Sequence, residues 1–309
     1  MNQTGFSFLL NRLRFTGRLP FEVSDGVVFD KATSRQALEI INVIEEGHLK
    51  PFGDLWYYSA EPRPDGDNGP AYAYKHCAKD KIEFWVLNFD SPSRIQRMDL
   101  PFRLIEPEIE TGALLYKGGR NFNPPTAFHF FQSNIHPAYG DLCEESLREV
   151  RILEQLIRNS KRDNANHAKQ SILGILENFN ASRAYIRLGH MALLSHFTII
   201  EGLLTHAPGP DAGDSLNHQI STKIPLLFAR MERPVQHQQI FGEIEIRKLW
   251  KKLYAVRSVF AHGDNADFRG KFAELKSFDL VERYVYSSMK GLLRLALREP
   301  QLVYDLRSC

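Results

Sequence analysis

The stretch Lys251-Lys-Leu-Tyr-Ala-Val-Arg-Ser-Val-Phe-Ala-His-Gly263 determines how the second half of this sequence is interpreted. Its apolar residues recur at helical spacing, and Gly263 followed by two polar residues is a typical helix end. Arg257 and His262 form an Arg-x4-His pair close to that end. A fixed cation beside a histidine, which titrates near neutral pH, suits proton transfer at a phosphate. The pair therefore marks a candidate active site.

From about Asp141 onward, apolar residues recur with a period near 3.6, which predicts amphipathic helices. Short polar connections between such helices favour an all-α bundle. Pro225 is expected to kink or divide the third predicted helix. The predicted helices cover Leu142–Ile157 (with a continuation through Ser171–Phe179 after a polar break), Ala181–Thr205, Leu216–Met231, Phe241–His262 and Leu280–Leu297.

The first half of the chain has a different pattern, with aromatic and β-branched runs separated by Pro, Gly, Asp and Ser. One helix, Ser34–Glu46, is predicted to interrupt these strands. The fold class is therefore α+β, with a β-rich domain at residues 1–140 and a helical domain at 141–309. The predicted strands are Leu55–Tyr58, Ala71–Tyr74, Ile82–Phe89, Phe102–Ile105, Ala113–Tyr116 and Ala127–Phe131.

Composition limits the classes of protein that fit this chain. The 309 residues are 43% hydrophobic and 25% charged, which is ordinary for a globular protein. A net charge of +2 means that any nucleic-acid contact must come from a local basic patch. Three widely spaced cysteines predict a reducing compartment without a disulfide framework. The N-terminus lacks a signal-peptide pattern, and no apolar stretch is long enough to cross a membrane, so we expect a cytoplasmic protein.

No spacing of cysteines or histidines predicts a metal site. His190, His196 and His206 have spacings of six and ten, which differ from the i, i+4 pair of helical metal sites. We interpret them as packing or surface residues. A second Arg-x4-His pair, Arg162 to His167, lies in a polar segment and is interpreted as solvated surface.

The sequence Tyr-x-x-Arg-Ser-x-x-Ala-His-Gly at Tyr254–Gly263 resembles the signature of the Apea-like branch of the HEPN superfamily. Two upstream segments, Leu193–Leu204 and Leu216–Leu227, resemble the acidic helix of that family and the helix after it. The resemblance covers about residues 141–297. Serine at position 258 departs from the Asn, His or Asp that often follows the arginine, although serine is familiar in the Apea-like branch.

The resemblance implies a metal-independent endoribonuclease without a cofactor, whose active cleft forms where two helical bundles pair. In this interpretation His262 moves a proton and Arg257 stabilises charge on the phosphoryl oxygens. Glu201 orients Arg257, and Ser258 binds the phosphate or holds the arginine, with Tyr254 as a further supporting residue. The basic run of Lys248, Lys251 and Lys252, with Arg247 beside it, is expected to follow an RNA backbone.

The same resemblance implies a toxin-like role in antiphage defence by abortive infection, with transfer RNA as the expected substrate. The N-terminal domain would then sense a phage-derived trigger or regulate the nuclease. The alternative is a non-catalytic HEPN module that dimerises or binds a partner while its β domain recognises a ligand. In that case His262 is favoured by the helix dipole, Arg257 pairs with Glu201, and the lysines form a solvated face.

Overall fold

The computed structural model describes most of the chain, and it divides into two compact units, Met1–Glu154 and Gln155–Cys309. The described residues are 4–10, 13–46, 58–63, 71–76, 83–116, 119–121, 140–182, 189–207 and 215–309.

The first unit contains ten described strands and three short or medium helices, before a long helix, α4 (Glu144–Arg162), that continues into the second unit. An antiparallel six-stranded sheet has the order β3-β4-β7-β1-β8-β9, and β2–β10 and β5–β6 form separate two-stranded hydrogen-bonded pairs. The elements are β1 Gly5–Leu9, β2 Leu13–Thr16, β3 Phe21–Ser24, β4 Val27–Lys31, α1 Ser34–Glu46, β5 Tyr58–Arg63, β6 Ala71–His76, β7 Trp85–Phe89, α2 Pro92–Gln96, α3 Asp99–Leu104, β8 Thr111–Tyr116, β9 Gly119–Asn121 and β10 Gly140–Cys143.

Helix α1 begins and ends where the sequence predicted. Thr33 and Gln36 form a capping box, because the Gln36 amide donates to Thr33 Oγ1 (3.3 Å) and the Thr33 amide donates to Gln36 Oε1 (2.9 Å). Ile40 and Val43 are buried in the same apolar cluster as Phe8 of β1. Burial of this helix face against β1 holds α1 on the sheet.

The prediction of a strand at Phe102–Ile105 is wrong, because these residues lie in and just after helix α3. Residues 101–104 are all buried, so their burial does not alternate as it would in a half-exposed strand. A short apolar run has no period that separates a buried helix from a strand. Asp99 in the first turn favours the helix through its dipole. The predicted strands Leu55–Tyr58 and Ala127–Phe131 lie wholly or almost wholly outside the described residues.

The second unit is helical and packs around Trp250, which is fully buried. Phe197, Phe228 and Tyr284 lie around its ring, with centroids 6.3, 6.3 and 5.9 Å away. These contacts join four helices in one core. The helices that follow α4 are α5 His167–Ala181, α6 His190–Leu204, α7 Leu216–Phe228, α8 His237–Phe241, α9 Ile246–Ala261, α10 Phe278–Arg298 and α11 Pro300–Ser308.

Two predicted helix boundaries are wrong because glycines with positive φ interrupt the helices. Gly189 has φ 96° and lies just before α6, so a single helix over Ala181–Thr205 is excluded. Gly242 has φ 77° and separates α8 from α9, so the predicted helix Phe241–His262 starts later, at Ile246. Pro225 lies inside α7 without dividing it.

Other helix ends also differ from the predictions. Leu142 belongs to β10, and α4 starts two residues later. Helix α10 is longer than predicted, because Ser277 caps it by accepting a hydrogen bond from the Leu280 amide. Helix α11 was not predicted. The α+β class, with strands in the N-terminal part and helices in the C-terminal part, is confirmed. Among the residues described, no helix is both long and apolar enough to cross a membrane.

Candidate functional site

Helix α9 carries most of the predicted site residues and ends in the hydrogen-bond pattern of a Schellman motif. Gly263 has φ 81°, and its amide donates to Phe260 O at 3.0 Å. The Asp264 amide donates to Val259 O at 3.1 Å. The predicted glycine cap is therefore confirmed, and it places His262 as the last residue before the chain turns away.

Arg257 is held by a carboxylate of the neighbouring helix α6. Its Nη2 atom lies 3.1 Å from Glu201 Oε1 and 3.2 Å from Glu201 Oε2, and it donates a hydrogen bond to Oε2. The Arg257 side chain is 25% exposed and that of Glu201 is 16% exposed. This partial burial makes the ion pair stronger than one on an open surface.

The Arg257 side chain turns back toward the start of α9. Its guanidinium carbon lies 5.4 Å from the ring centroid of Tyr254, which is one helical turn before it. Tyr254 is itself buried and meets Phe197 edge to face at 5.8 Å. Packing of Tyr254 against α6 therefore fixes a surface on which the guanidinium rests beside Glu201.

The charges of this cluster act on the Tyr254 hydroxyl. Burial raises the pKa of Tyr254 above its ordinary value, and the negative charge of Glu201 raises the pKa further. The positive charge of Arg257 opposes this by lowering the pKa. Tyr254 thus stays neutral at physiological pH between two opposite charges.

The guanidinium keeps donors that Glu201 does not use. An arginine has five N–H donors. Arg257 Nε is buried and has no hydrogen-bond partner among the described residues. Because Nε is buried, a second anion would meet the exposed part of the side chain while Glu201 holds Nη2.

His262 lies apart from the Arg257–Glu201 pair. It is exposed, and no described residue forms a hydrogen bond or ion pair with its ring. At about 100° per residue, five residues place His262 about 140° from Arg257 around the helix axis. Since the guanidinium also turns back over Tyr254, this geometry places the two side chains on different faces of α9 within one chain. Ser258 lies on the face between them and is half-buried.

The predicted basic run is partly neutralised within the chain. Lys252 forms an ion pair with Glu274 at 3.2 Å, and Lys248 lies 4.0 Å from the same residue. Lys251 is exposed. By the same helical geometry, Lys248 and Lys252 lie about 180° and 140° from Arg257. The sequence prediction missed Glu274, because it lies in a short 3₁₀ turn outside α9.

The second Arg-x4-His pair flanks the connection between α4 and α5, since Arg162 ends α4 and His167 begins α5, and both residues are exposed, as predicted. The histidines set aside as packing or surface residues differ among themselves. His190 is exposed and stacks on Phe260, with centroids 3.8 Å apart, whereas His196 is buried. His206 lies beyond the end of α6 and its Nδ1 atom is 2.9 Å from Arg307 O.

The sequence analysis also missed the polar residues Gln219, Lys223 and Arg307 around the end of α6. The signal that could have indicated Lys223 is its spacing from Ile220 and Leu227, which puts a lysine on the apolar face of this helix. Within the described ranges, no group of three His, Cys, Asp or Glu side chains is placed to hold a metal ion.

Comparison of the chain with protein-family models, with curated proteins and with solved structures finds no match. The resemblance of Tyr254–Gly263 to the Apea-like HEPN signature therefore stays a prediction.

Proposed function

We propose that this protein is a metal-independent endoribonuclease whose active site contains Arg257 and His262 from two paired chains. The observation that supports it best is the partly buried Arg257, fixed by Glu201 with part of its side chain still exposed, on the helix that ends in the exposed His262. An oriented guanidinium and a solvent-accessible imidazole are the two groups that cleavage of RNA by its own 2′-hydroxyl requires.

The reaction assigns one step to each group. The 2′-oxygen forms a bond to the adjacent phosphorus as one imidazole takes its proton, and Arg257 stabilises the charge that develops on the phosphoryl oxygens. The bond between phosphorus and the 5′-oxygen then breaks, and a second imidazole, in its protonated form, gives that oxygen a proton. The products are a 2′,3′-cyclic phosphate and a 5′-hydroxyl.

The separation of Arg257 from His262 within one chain supports a composite site. A two-fold axis beside the end of α9 would place His262 of one chain opposite Arg257 of the other, and it would supply the two imidazoles that the reaction needs. Ser258 lies between these faces, where its hydroxyl can donate to a phosphate oxygen. Lys251, and to a smaller extent Lys248 and Lys252, supply positive charge for the RNA backbone.

The biological setting rests on the Apea-like HEPN resemblance. We infer a cytoplasmic, toxin-like nuclease of antiphage defence that cleaves RNA, with transfer RNA as the expected substrate. The N-terminal unit would restrain the nuclease until a phage-derived trigger or a regulatory partner binds.

The test is cleavage of total cellular RNA by the purified protein in EDTA. Replacing His262 by Ala removes a general acid–base group, which typically costs about 10²- to 10⁴-fold in rate. Replacing Arg257 by Ala removes the oxyanion stabiliser, at about 10²- to 10³-fold. The matched control is Arg162→Ala/His167→Ala, which removes the exposed second pair and should cut at the wild-type rate. If the Arg257→Ala and His262→Ala variants both cleave RNA at the wild-type rate, the active site is elsewhere.

A second candidate function is a non-catalytic dimerisation or binding module. The observation that favours it is the Arg257 guanidinium held over Tyr254 and by Glu201. In that case Arg257 serves the stability of the bundle alone. Loss of stability in Arg257→Ala, with no RNA cleavage by the wild type even when phage infection is imposed, would favour the module.

A further inference from the structure

Side chains bind three successive carbonyls at the end of α6, that of its last residue, Leu204, and those of the two residues that follow it. Lys223 Nζ donates to Leu204 O at 2.9 Å, Arg307 Nε donates to Thr205 O at 3.3 Å, and Gln219 Nε2 donates to His206 O at 3.3 Å. The last carbonyls of a helix have no partner within it and carry the negative end of its dipole. Two of the three groups that bind them here are cations.

Lys223 and Arg307 are themselves fixed by several contacts. Lys223 is only 5% exposed, and its Nζ also donates to Arg307 O at 3.3 Å. His206 Nδ1 lies 2.9 Å from the same carbonyl, so this nitrogen carries the proton. Arg307 Nη1 donates to Ser171 Oγ at 3.2 Å. Arg307 therefore donates to the end of α6 with its side chain while its carbonyl accepts from Lys223 and His206.

This cluster is joined to Glu201 through one residue. The amide of Thr205 donates to Glu201 O at 2.9 Å, and Thr205 Oγ1 donates to the same oxygen at 2.8 Å. The carbonyl of Thr205 is the one that Arg307 holds. A continuous chain of hydrogen bonds thus runs from Arg307 through Thr205 to Glu201, and from the Glu201 carboxylate to Arg257.

We propose that Arg307 is a positioning residue for Arg257, and that the C-terminal helix α11 holds the site arginine in place through the last turn of α6. Lys223 supports the same turn from α7. The role of these residues in RNA cleavage rests on the proposed function, whereas the coupling of Arg307 to Arg257 does not.

The electrostatics of α6 explain why such support is required. Glu201 lies in the last turn, where its negative charge adds to the negative end of the helix dipole. Arg257, Lys223 and Arg307 surround that end with positive charge. Loss of Arg307 leaves the Thr205 carbonyl without this donor, which frees the turn to move and loosens the hold of Glu201 on Arg257.

The test follows the Arg257 Nε–H group by NMR, independently of any reaction. This group is buried, so its exchange with water reports opening of the site. Its resonance is assigned by its absence in Arg257→Lys. We expect Arg307→Gln to raise its exchange rate about tenfold, the factor for one hydrogen bond to a charged group. Ser171→Ala, which removes one partner of Arg307, should raise the rate by a smaller factor.

Arg230→Gln is the matched control. It also removes an arginine, and it breaks the exposed ion pair between Arg230 and Glu299 at the start of α11 (2.6 Å) without contacting α6. The exchange rate of Arg257 should stay within about twofold of wild type, since exposed ion pairs contribute little. If Arg307→Gln does not fold, Ser171→Ala decides the question. An Arg257 exchange rate that is unchanged in the folded variants, or equally raised in the control, overturns the proposal.

A double-mutant cycle, in which RNA-cleavage rates are measured for Arg307→Gln and Glu201→Gln singly and together, separates this proposal from the proposed function. If Arg307 acts through Glu201, Arg307→Gln lowers the rate in the wild-type background but adds nothing in the Glu201→Gln background. A role in general stability would give additive losses, which would contradict positioning. If the wild type cuts no RNA even when phage infection is imposed, the proposed function fails, while the exchange measurement still decides whether Arg307 holds Arg257.

Discussion

Replacing Glu201 by Gln tests the electrostatic account of the Arg257 cluster. The substitution keeps the shape of the side chain and one acceptor oxygen but removes its charge. Because the Glu201 charge raises the pKa of Tyr254, that pKa should fall in Glu201→Gln. Arg257→Gln removes the charge that lowers it, so the pKa should rise in that variant. The two variants therefore move one observable in opposite directions.

The loss of stability in Glu201→Gln can be bounded from the geometry of its ion pair with Arg257. At 3.1 Å between Nη2 and Oε1, an effective dielectric constant of about 20 gives a gross attraction of about 5 kcal/mol. Desolvation offsets much of this. Exposed pairs are worth about 0–1 kcal/mol, and breaking a fully buried pair costs about 3–5 kcal/mol. For side chains that are 25% and 16% exposed, we expect Glu201→Gln to lower the free energy of unfolding by about 2 kcal/mol.

The assay is NMR of ¹³C-labelled tyrosine ring carbons across alkaline pH, with the Tyr254 resonance assigned by its absence in Tyr254→Phe. Stability is followed by urea unfolding with Trp250 fluorescence, in a Trp56→Phe/Trp85→Phe background, because Trp250 is the tryptophan of the second unit. A Tyr254 pKa that moves in the same direction in Glu201→Gln and Arg257→Gln would refute the reasoning.

Two further predictions concern the helical unit. Gly263→Ala should lower the free energy of unfolding of this unit by about 1 kcal/mol, because a side chain at φ 81° is strained although the space around it is open. Gly263→Asn should lower it by less, because asparagine tolerates positive φ better. An equal loss of stability in both variants would contradict the backbone explanation. Burial raises the pKa of Tyr284 above the ordinary tyrosine value of 10.0, so the unfolded state loses its proton first and stability should fall as pH rises above about 10. Tyr284→Phe should make this fall shallower, and an unchanged slope would contradict the role of Tyr284.

The sequence predicted the elements whose signals are local. Helix α1 has both a period and a capping box, and the end of α9 has the glycine that a Schellman motif needs. The pairing of Glu201 with Arg257 was predicted from a carboxylate on an apolar helix and from the HEPN resemblance. It fits the catalytic and the structural interpretation equally, so it does not distinguish them.

The remaining features depend on contacts that no local pattern contains. Residues 101–104 are all buried, and a short apolar run does not show whether a buried segment is a helix or a strand. Partial neutralisation of the basic run depends on Glu274, more than twenty residues after Lys252. The contact of Arg307 with Thr205 spans 102 positions and involves a helix that the periodicity did not indicate.

The measurement that tests the composite site most directly is RNA cleavage by mixed dimers. Wild-type protein and the Arg257→Ala/His262→Ala double variant are mixed, unfolded and refolded together, with the Arg162→Ala/His167→Ala protein as the control partner. A mixed dimer of wild type and double variant lacks one of the two imidazoles, so the account predicts that cleavage per wild-type chain falls as the double variant is added in excess, whereas the control partner leaves it unchanged. Cleavage per wild-type chain that stays constant with excess double variant would contradict a site shared between two chains.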